Sequence, residues 1–234
     1  MKYKIYNNRE KIREKVVVLI HGAYHGMWCW EINFVPFFLE RNYTVISIDY
    51  IENFKKLEET IKCLNDILGK IAGKLYMVSH SLGAAIVERY ITRYSPELAG
   101  VIFIAPGPVI KRIRRTLIIN IHNLLSDRAN FYFSNRVKNK ETEKYISMLR
   151  KQTREMELLI VRRNISRYFN WKYRTLVLGT RNDQCMPLSV ILDAGKFFKA
   201  KVIIYEELCH DMMLDPMWKT VAVDIDEFIQ MNYD

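Results

Sequence analysis

The chain of 234 residues has few cysteines and no long apolar segment, and each shortage excludes a class of protein. Its four cysteines stand far apart, without the C-x-x-C spacing of zinc sites, and predict no metal site. The charged first eight residues are not followed by an apolar stretch, unlike a signal peptide. The longest apolar runs have the length of strands, far short of a membrane span. We therefore expect a cytoplasmic protein with free thiols.

Internal repeats and low-complexity segments are also absent, and the chain is long enough to bury one sizeable core. Short apolar runs alternate with stretches whose apolar residues recur at helical spacing. This alternation predicts an α/β fold with a mostly parallel central sheet and helices on both faces, where ligands bind at the carboxyl ends of the strands. The predicted strands lie near 2–6, 16–21, 44–48, 75–79, 100–105, 174–179 and 201–205, and the predicted helices near 31–40, 55–72, 82–94, 187–199 and 216–231.

A serine stands where a predicted strand turns into a predicted helix, in the segment Ser79-His80-Ser81-Leu82-Gly83. Such a turn pushes the central hydroxyl out at the sheet edge, and small residues on both flanks allow the chain to fold back. The Leu82 N–H points the same way and predicts an oxyanion donor. Two alternatives stay open. Ser81 could cap the helix, or Ser79 could be the nucleophile, although its side chain would lie inside the turn.

A second turn of the same kind follows the predicted strand near 16–21, where the run ends in His21-Gly22. The N–H of Ala23, the next residue, can point at the same place as the Leu82 N–H. Two such donors form an oxyanion hole, worth about 3–4 kcal/mol per donor to a developing negative charge. The sequence therefore predicts that Ala23 and Leu82 together bind an oxyanion.

Asp183 and His210 each follow one of the last two predicted strands. With Ser81 they give the chain order Ser, Asp, His, in which the serine is the nucleophile, the histidine its base and the aspartate the group that orients the histidine. Asp211 and Asp215 stand too close to His210 in sequence to orient it from across the sheet edge. We expect these two aspartates to be caps or surface charges.

In this order, and over nearly the whole chain, these pieces resemble the α/β-hydrolase superfamily, and the segment 21–30 resembles the matching turn of plant methylesterases and hydroxynitrile lyases. The resemblance implies a serine hydrolase that cleaves a carboxylic ester, or a thioester, through an acyl-enzyme on Ser81 without metal or organic cofactor. The alternatives are a hydroxynitrile-type lyase and a ligand-binding receptor with little turnover. The chain departs from the superfamily at Ser79 and Cys209, where glycines are usual, and after Asp49, where an Arg-Gly-x-Gly turn is missing.

Several residues near the predicted triad admit both a functional and a structural interpretation. Trp28 is as good a core anchor as a pocket residue, and His80 could pack or hydrogen-bond below the sheet edge. Cys185 and Cys209 are expected to be buried small residues rather than reactive thiols. The predicted substrate pocket contains Tyr24, His25, Trp28 and His80.

The interval 107–172 interrupts the alternation of strands and helices. In the superfamily that the chain resembles, an insertion at this place forms a lid over the site. The resemblance therefore divides the chain into a core, 1–106 and 173–234, and a helical lid, 107–172. From Val109 to Leu125 apolar residues recur at helical spacing opposite a basic face, which predicts an amphipathic first lid helix.

The same interval carries the whole positive excess of the chain, with 16 Lys and Arg but 5 Asp and Glu, against a formal net charge of +10 for the full sequence. This charge has two interpretations. It could attract an anionic substrate or a lipid surface, or it could be a solvated outer face. Nucleic acid is disfavoured as a partner because no nucleic-acid-binding motif accompanies the charge. The expected partner is a small-molecule ester.

Overall fold

The computed structural model of the protein describes residues 1–7, 14–50, 57–109, 128–133, 137–151 and 170–231. Within these ranges the strands are β1 (Lys2–Tyr6), β2 (Lys15–Ile20), β3 (Thr44–Asp49), β4 (Lys74–His80), β5 (Gly100–Ile104), β6 (Thr175–Thr180) and β7 (Lys201–Tyr205). The helices are α1 (Trp28–Glu31), α2 (Phe34–Glu40), α3 (Leu57–Leu68), α4 (Leu82–Tyr94), α5 (Arg128–Tyr132), α6 (Asn139–Ser147), α7 (Leu188–Phe198) and α8 (Trp218–Gln230).

The seven strands form one sheet in the order β1-β3-β2-β4-β5-β6-β7. β1 pairs antiparallel with β3, and all other neighbours are parallel. The predicted α/β fold with a mostly parallel sheet is confirmed, and no strand end differs from its predicted position by more than one residue. The carboxyl ends of the parallel strands lie along one edge, which we call the site edge.

The central strands are buried on both faces, which explains their continuous apolar runs. The five residues from Val16 to Ile20 in β2 are at most 1% exposed, and all six residues of β3 are buried. On one side α4 covers the sheet, with buried positions that include Ile86, Val87 and Ile91. Burying each such aliphatic side chain contributes about 1.5–3 kcal/mol, so this packing holds the site edge in place.

The prediction of one continuous helix near 31–40 was wrong, because the chain forms two short helices there, α1 and α2. The break falls at Asn33, whose φ of −128° lies outside the helical region. Its side-chain amide donates a hydrogen bond to the Met213 carbonyl oxygen at 2.9 Å. The apolar face was predicted correctly, since Phe34 and Phe38 are fully buried. Pro36, in the first turn of α2, has no N–H to donate to residue 32 and so ends a continuous helix at this place, where the Asn33 amide binds a distant loop.

The interval between β5 and β6 contains α5 and α6 in its described part, in line with a mostly helical segment. Its division from the core as a lid stays a prediction. The predicted amphipathic helix lies outside the described residues beyond Val109. Among the residues that the structure describes, none of the helices has both the length and the apolar character needed to cross a membrane.

Candidate active site

Ser81 occupies a strained turn between β4 and α4. Its φ of 49° and ψ of −116° fall where residues with a side chain rarely lie, and its N–H donates to the Ile104 carbonyl oxygen at 2.9 Å. A Cβ on Gly83 would come within 2.5 Å of the His21 carbonyl oxygen, so only glycine lets α4 start so close to β2. Strain of this kind persists only where the surrounding structure enforces it, and it concentrates at functional sites.

The two alternatives for this turn find no support in the geometry. Ser81 precedes α4 directly, yet its side chain makes no capping hydrogen bond to the helix. Ser79 is fully buried in β4, and its hydroxyl faces the Ile102 carbonyl oxygen at 3.5 Å. Ser81 is 5% exposed, so of the two serines it is the one whose side chain reaches the site edge.

Asp183 and His210 come together as the sequence predicts. His210 Nδ1 lies 2.8 Å from Asp183 Oδ2, and both side chains are buried. The other oxygen, Asp183 Oδ1, accepts hydrogen bonds from the N–H groups of Cys185 and Met186, both at 2.7 Å. The carboxylate is therefore held by its own loop, independently of its contact with the histidine. Because an ionised carboxylate only accepts, Nδ1 of His210 carries the proton.

The second ring nitrogen of His210 is the one that could do chemistry. Nε2 is buried and makes no hydrogen bond to Ser81 or to any other residue that the structure describes. Burial alone would lower the pKa of His210, but the Asp183 carboxylate outweighs burial and raises that pKa well above its ordinary value. His210 is thus a strong base whose accepting nitrogen is free.

The loop after β2 lies against the Ser81 turn. A Cβ on Gly22 would stand 3.3 Å from Ser81 Cβ and 2.6 Å from His80 Nδ1, so the two segments approach as closely as glycine allows. Leu82 is the first residue of α4, where a helix supplies no partner for the N–H group. The structure thus brings the Ala23 loop and the start of α4 to the same serine, the arrangement that the oxyanion prediction requires.

Every carbonyl group from residue 21 to residue 25 accepts a hydrogen bond, which fixes the path of this loop. Tyr50 Oη donates to the first two carbonyls at 3.1 Å each. His25 Nδ1 donates to the Ala23 carbonyl oxygen at 2.6 Å. Arg150 donates from its backbone N–H to the Tyr24 carbonyl at 2.7 Å and from Nη2 to the His25 carbonyl at 2.8 Å. The loop that carries the predicted oxyanion donor is therefore rigidly held.

Asp211 is neither a cap nor a surface charge, so the expectation for it was wrong. It is fully buried, and its Oδ2 lies 2.7 Å from His25 Nε2. Asp215 is a cap, as expected, although a buried one: it accepts hydrogen bonds from the N–H groups of Cys209 and Met217 at 3.0 and 2.8 Å. Both neighbours of His210 are thus held by carboxylate contacts: Cys209 through Asp215, and Asp211 through its own contact with His25.

Three of the four predicted pocket residues, His25, Trp28 and His80, form one aromatic cluster beside the Ser81 turn. His25 and His80 are fully buried, and the His25 ring stacks on Trp28 at 5.4 Å between centroids. His80 Nε2 donates to the His210 carbonyl oxygen at 3.2 Å, and burial lowers the pKa of His80 well below its ordinary value. Tyr24 is half-buried, with a positive φ of 64°. Contact of these residues with a substrate stays a prediction.

Three residues at this site were not identified from the sequence, because each comes from a segment without a motif. Tyr50 and Arg150 hold the loop after β2, and Arg150 also pairs with Asp49 at 2.7 Å. The Tyr132 ring lies edge-on to His25 at 5.3 Å and 6.0 Å from His210. No spacing in the sequence relates these residues to the triad.

Among the described residues, two groups bring possible metal-ligand atoms within 4.8 Å of one another, Asp183 with Cys185 and His210, and His80 with His210 and Asp211. Both groups include His210, whose Nδ1 is bound to Asp183 and whose Nε2 has no hydrogen-bond partner among these residues. Burial raises the pKa of the Cys185 thiol, and a protonated thiol is a poor metal ligand.

Comparison with known proteins gives matches of three kinds: a family model, curated proteins and solved structures. The model of the "Alpha/beta hydrolase family" matches residues 17–221. Among curated proteins, the chain is 33% identical over 110 residues to methyl jasmonate esterase 1 of Vitis vinifera, an alignment that covers 41% of this chain and 42% of that protein. It is 30% identical over 105 residues to norfluorocurarine synthase 1 of Strychnos nux-vomica, covering 40% and 39%. The alignments thus span about two fifths of each relative.

Solved structures resemble the chain over nearly its full length at low sequence identity. The esterase EaEST from Exiguobacterium antarcticum superposes with a TM-score of 0.78 and 13% identity, covering 98% of this chain and 95% of that one. A monoacylglycerol lipase of Paleococcus ferrophilus gives 0.74 and 15%, covering 97% of each chain. These superpositions support the fold, and the family match spans most of the sequence. The chain belongs to the alpha/beta hydrolase family.

Proposed function

We propose that the protein is a serine hydrolase that cleaves a carboxylic ester through an acyl-enzyme, with Ser81 as nucleophile, His210 as base and Asp183 as the orienting acid. The observation that carries the proposal is the His210 ring, which is bound to Asp183 through Nδ1 at 2.8 Å and whose buried Nε2 has no hydrogen-bond partner in the described part of the chain. Ser81 is held at φ 49° on the neighbouring turn, and this nitrogen would take the proton of its hydroxyl group. The lack of an Nε2–Oγ hydrogen bond does not oppose this role, since catalytic contacts often tighten only when substrate binds.

The reaction would run in two halves. His210 Nε2 takes the hydroxyl proton as Ser81 attacks the ester carbonyl, and the imidazolium so formed is stabilised by Asp183. The same proton then passes to the leaving alcohol as the C–O bond breaks, which leaves the acyl group on Ser81. In the second half His210 takes a proton from the water that attacks the acyl-enzyme. It returns this proton to Ser81 Oγ as the Ser81–acyl bond breaks and the acid product leaves.

The N–H groups of Ala23 and Leu82 would bind the negative oxygen in both halves. Their preorganisation supports this role, because a loop whose five carbonyl groups are all bound cannot relax away from the developing charge. A preorganised donor of this kind is worth about 3–4 kcal/mol to the transition state. Asp183, held by two N–H groups, is fixed before the substrate arrives.

A small apolar ester is the substrate class that the surroundings favour. The aromatic residues Trp28, Tyr132, Phe133 and Tyr145 pack near the loop after β2 and the Ser81 turn. The relative from Vitis vinifera is named for the hydrolysis of a methyl ester, which agrees with this class. Aliphatic or aromatic acyl groups would gain free energy on leaving water for contact with these rings.

The test combines a turnover assay with active-site labelling. Nitrophenyl esters from acetate to octanoate would measure turnover, and a fluorophosphonate followed by peptide mapping would identify the nucleophile. Ser81→Ala should reduce turnover at least about 10³-fold. Its matched control, Ser79→Ala, removes a buried hydroxyl two residues away and should leave turnover unchanged. An adduct on Ser79, or none on Ser81, would overturn the proposal. At most one slow burst of product would favour a receptor.

A further inference from the structure

His25 lies in the loop after β2 with both of its ring nitrogens against oxygen atoms. Nδ1 is 2.6 Å from the Ala23 carbonyl oxygen, and Nε2 is 2.7 Å from Asp211 Oδ2. His25 and Asp211 are both 0% exposed, so bulk water does not reach the contact. A carbonyl oxygen can only accept a hydrogen bond, and Nδ1 therefore carries a proton.

The contact with Asp211 calls for a second proton on the ring. An ionised carboxylate also only accepts, so with Asp211 ionised both nitrogens of His25 are protonated and the ring is an imidazolium. The neighbouring His80 does not supply this charge. Its Nε2 donates to the His210 carbonyl and stands 3.6 Å from Asp211 Oδ1, and burial lowers its pKa well below the ordinary value. With Asp211 ionised, the charges of the two side chains would balance each other.

This pair connects the two loops that the proposed chemistry uses. His25 binds the carbonyl of Ala23, the residue whose N–H is the predicted oxyanion donor. Asp211 directly follows His210, and its own N–H donates to the Tyr132 carbonyl oxygen at 3.1 Å. A displacement of either partner would therefore shift the oxyanion donor and the base relative to each other.

We infer that His25 and Asp211 form a buried imidazolium–carboxylate pair that positions the Ala23 N–H and the His210 ring, a role that rests on the proposed function. Both are positioning residues, since neither side chain reaches the reacting atoms. A displacement of about 1 Å at a catalytic group can lower the rate about 10²-fold, which is the effect that the pair prevents. His25 cannot itself be a base here, because neither of its nitrogens is free to accept a proton.

The test measures rate and protonation separately on the full chain. Asp211→Asn and His25→Gln, singly and together, should each lower kcat by about 10- to 100-fold with KM changed less than about twofold. The double variant should lie within about threefold of the worse single variant, because the pair acts as one unit. ¹⁵N spectra of histidine-labelled protein, assigned with His25→Gln, should show both His25 nitrogens protonated in the wild type at neutral pH.

Asp226→Asn is the matched control. Asp226 accepts a hydrogen bond from Tyr43 Oη at 2.5 Å and pairs with Arg41 Nε at 3.2 Å, beside the amino end of β3 and so away from the site edge. Its loss should reduce stability without changing kcat. If Asp226→Asn lowers kcat as much as Asp211→Asn does at equal loss of stability, the effect is general and the positioning role is overturned.

Two other results would also overturn the inference. One is an Asp211→Asn variant with kcat within about twofold of the wild type, and the other is a His25 ring with one unprotonated nitrogen. Failure of the proposed function looks different. In that case the wild type turns over no ester, while the ¹⁵N spectrum still reports a doubly protonated His25. The spectrum then supports the ion pair, and the failure lies in the proposed reaction.

Discussion

The site edge holds two buried histidine–aspartate pairs that differ in two respects. Asp183 contacts His210 at 2.8 Å and Asp211 contacts His25 at 2.7 Å, with all four residues at most 9% exposed. In the first pair the far nitrogen of the histidine has no hydrogen-bond partner among the described residues, whereas in the second it binds a backbone carbonyl. A histidine can transfer protons only through a nitrogen that is free to accept one. The nitrogen that does not face the aspartate therefore decides the role of each histidine: without a partner it can act as a base, and bound to a carbonyl it can only hold a position.

The two carboxylates also differ in their dependence on the histidine. Asp183 keeps two backbone N–H donors if His210 is lost. Asp211 has His25 on one oxygen, and its other oxygen makes no hydrogen bond to any described residue. Removing one partner of a buried pair is costly when the remaining charge is left uncompensated. We therefore expect the first pair to matter for rate and the second for stability as well as rate.

The largest expected effect is on turnover when the first pair is broken. His210→Ala and Asp183→Asn should each lower kcat by about 10³-fold or more, and the double variant should be little worse than either, because a triad acts as a unit. Steady-state kinetics on a nitrophenyl ester would measure this. Near-full activity of Asp183→Asn would place the orienting acid elsewhere.

The pH profile gives a second measurement on the same variants. His210 must be neutral to accept a proton, so activity should fall as the pH drops through the pKa of His210. Burial lowers this pKa, but the Asp183 carboxylate outweighs burial and raises the pKa well above its ordinary value. Asp183→Asn removes that charge and should move the acid limb to lower pH. A limb that stays in place would mean that Asp183 does not set the pKa of His210.

The next effect is on stability when the second pair is broken. His25→Ala leaves Asp211 buried and uncompensated, and should lower the free energy of unfolding by about 3–5 kcal/mol. His210→Ala should lower it less, since the Asp183 carboxylate keeps its backbone donors. Urea unfolding of both variants measures the difference. Equal losses would remove the distinction between the pairs.

The first pair was predictable from the sequence, and the second was not. Asp183 and His210 each follow a strand that a continuous apolar run predicts, and the carboxyl ends of parallel strands share one edge. A local pattern therefore implies their proximity. His25 and Asp211 stand 186 residues apart, and no spacing relates an aspartate beside the base to a histidine after β2. Only the packing of the two loops brings them together.

Local rules failed at other points for the same reason. At the break in the helix predicted near 31–40, the Asn33 side chain binds the Met213 carbonyl, a contact that no apolar spacing records. Arg150 reaches the loop after β2 from 125 residues away. The strands and the Ser81 turn are local or periodic features, and these were predicted correctly. Polar contacts between distant segments were not.

The smallest expected effect concerns exposed charge, which contrasts with both buried pairs. The interval 107–172 has 16 Lys and Arg against 5 Asp and Glu. Its described part exposes several lysines to solvent, namely Lys138, Lys140, Lys144 and Lys151. Salt screens exposed charges beyond about 8–10 Å at physiological ionic strength, whereas the buried pairs are out of its reach. Salt therefore separates the contribution of this interval from that of the site.

If the basic interval attracts substrate, kcat/KM on an anionic acyl phosphate or on anionic micelles should fall as salt rises, while neutral short-chain esters should change little. A variant with four basic residues replaced by Gln should lose the difference between the two substrates: Lys111, Arg112, Arg114 and Arg115. Its kcat on a neutral ester should match the wild type, because the pairs at the site edge are untouched. Equal salt responses for both substrates, in both proteins, would leave the basic residues as a solvated face that serves solubility and not recognition.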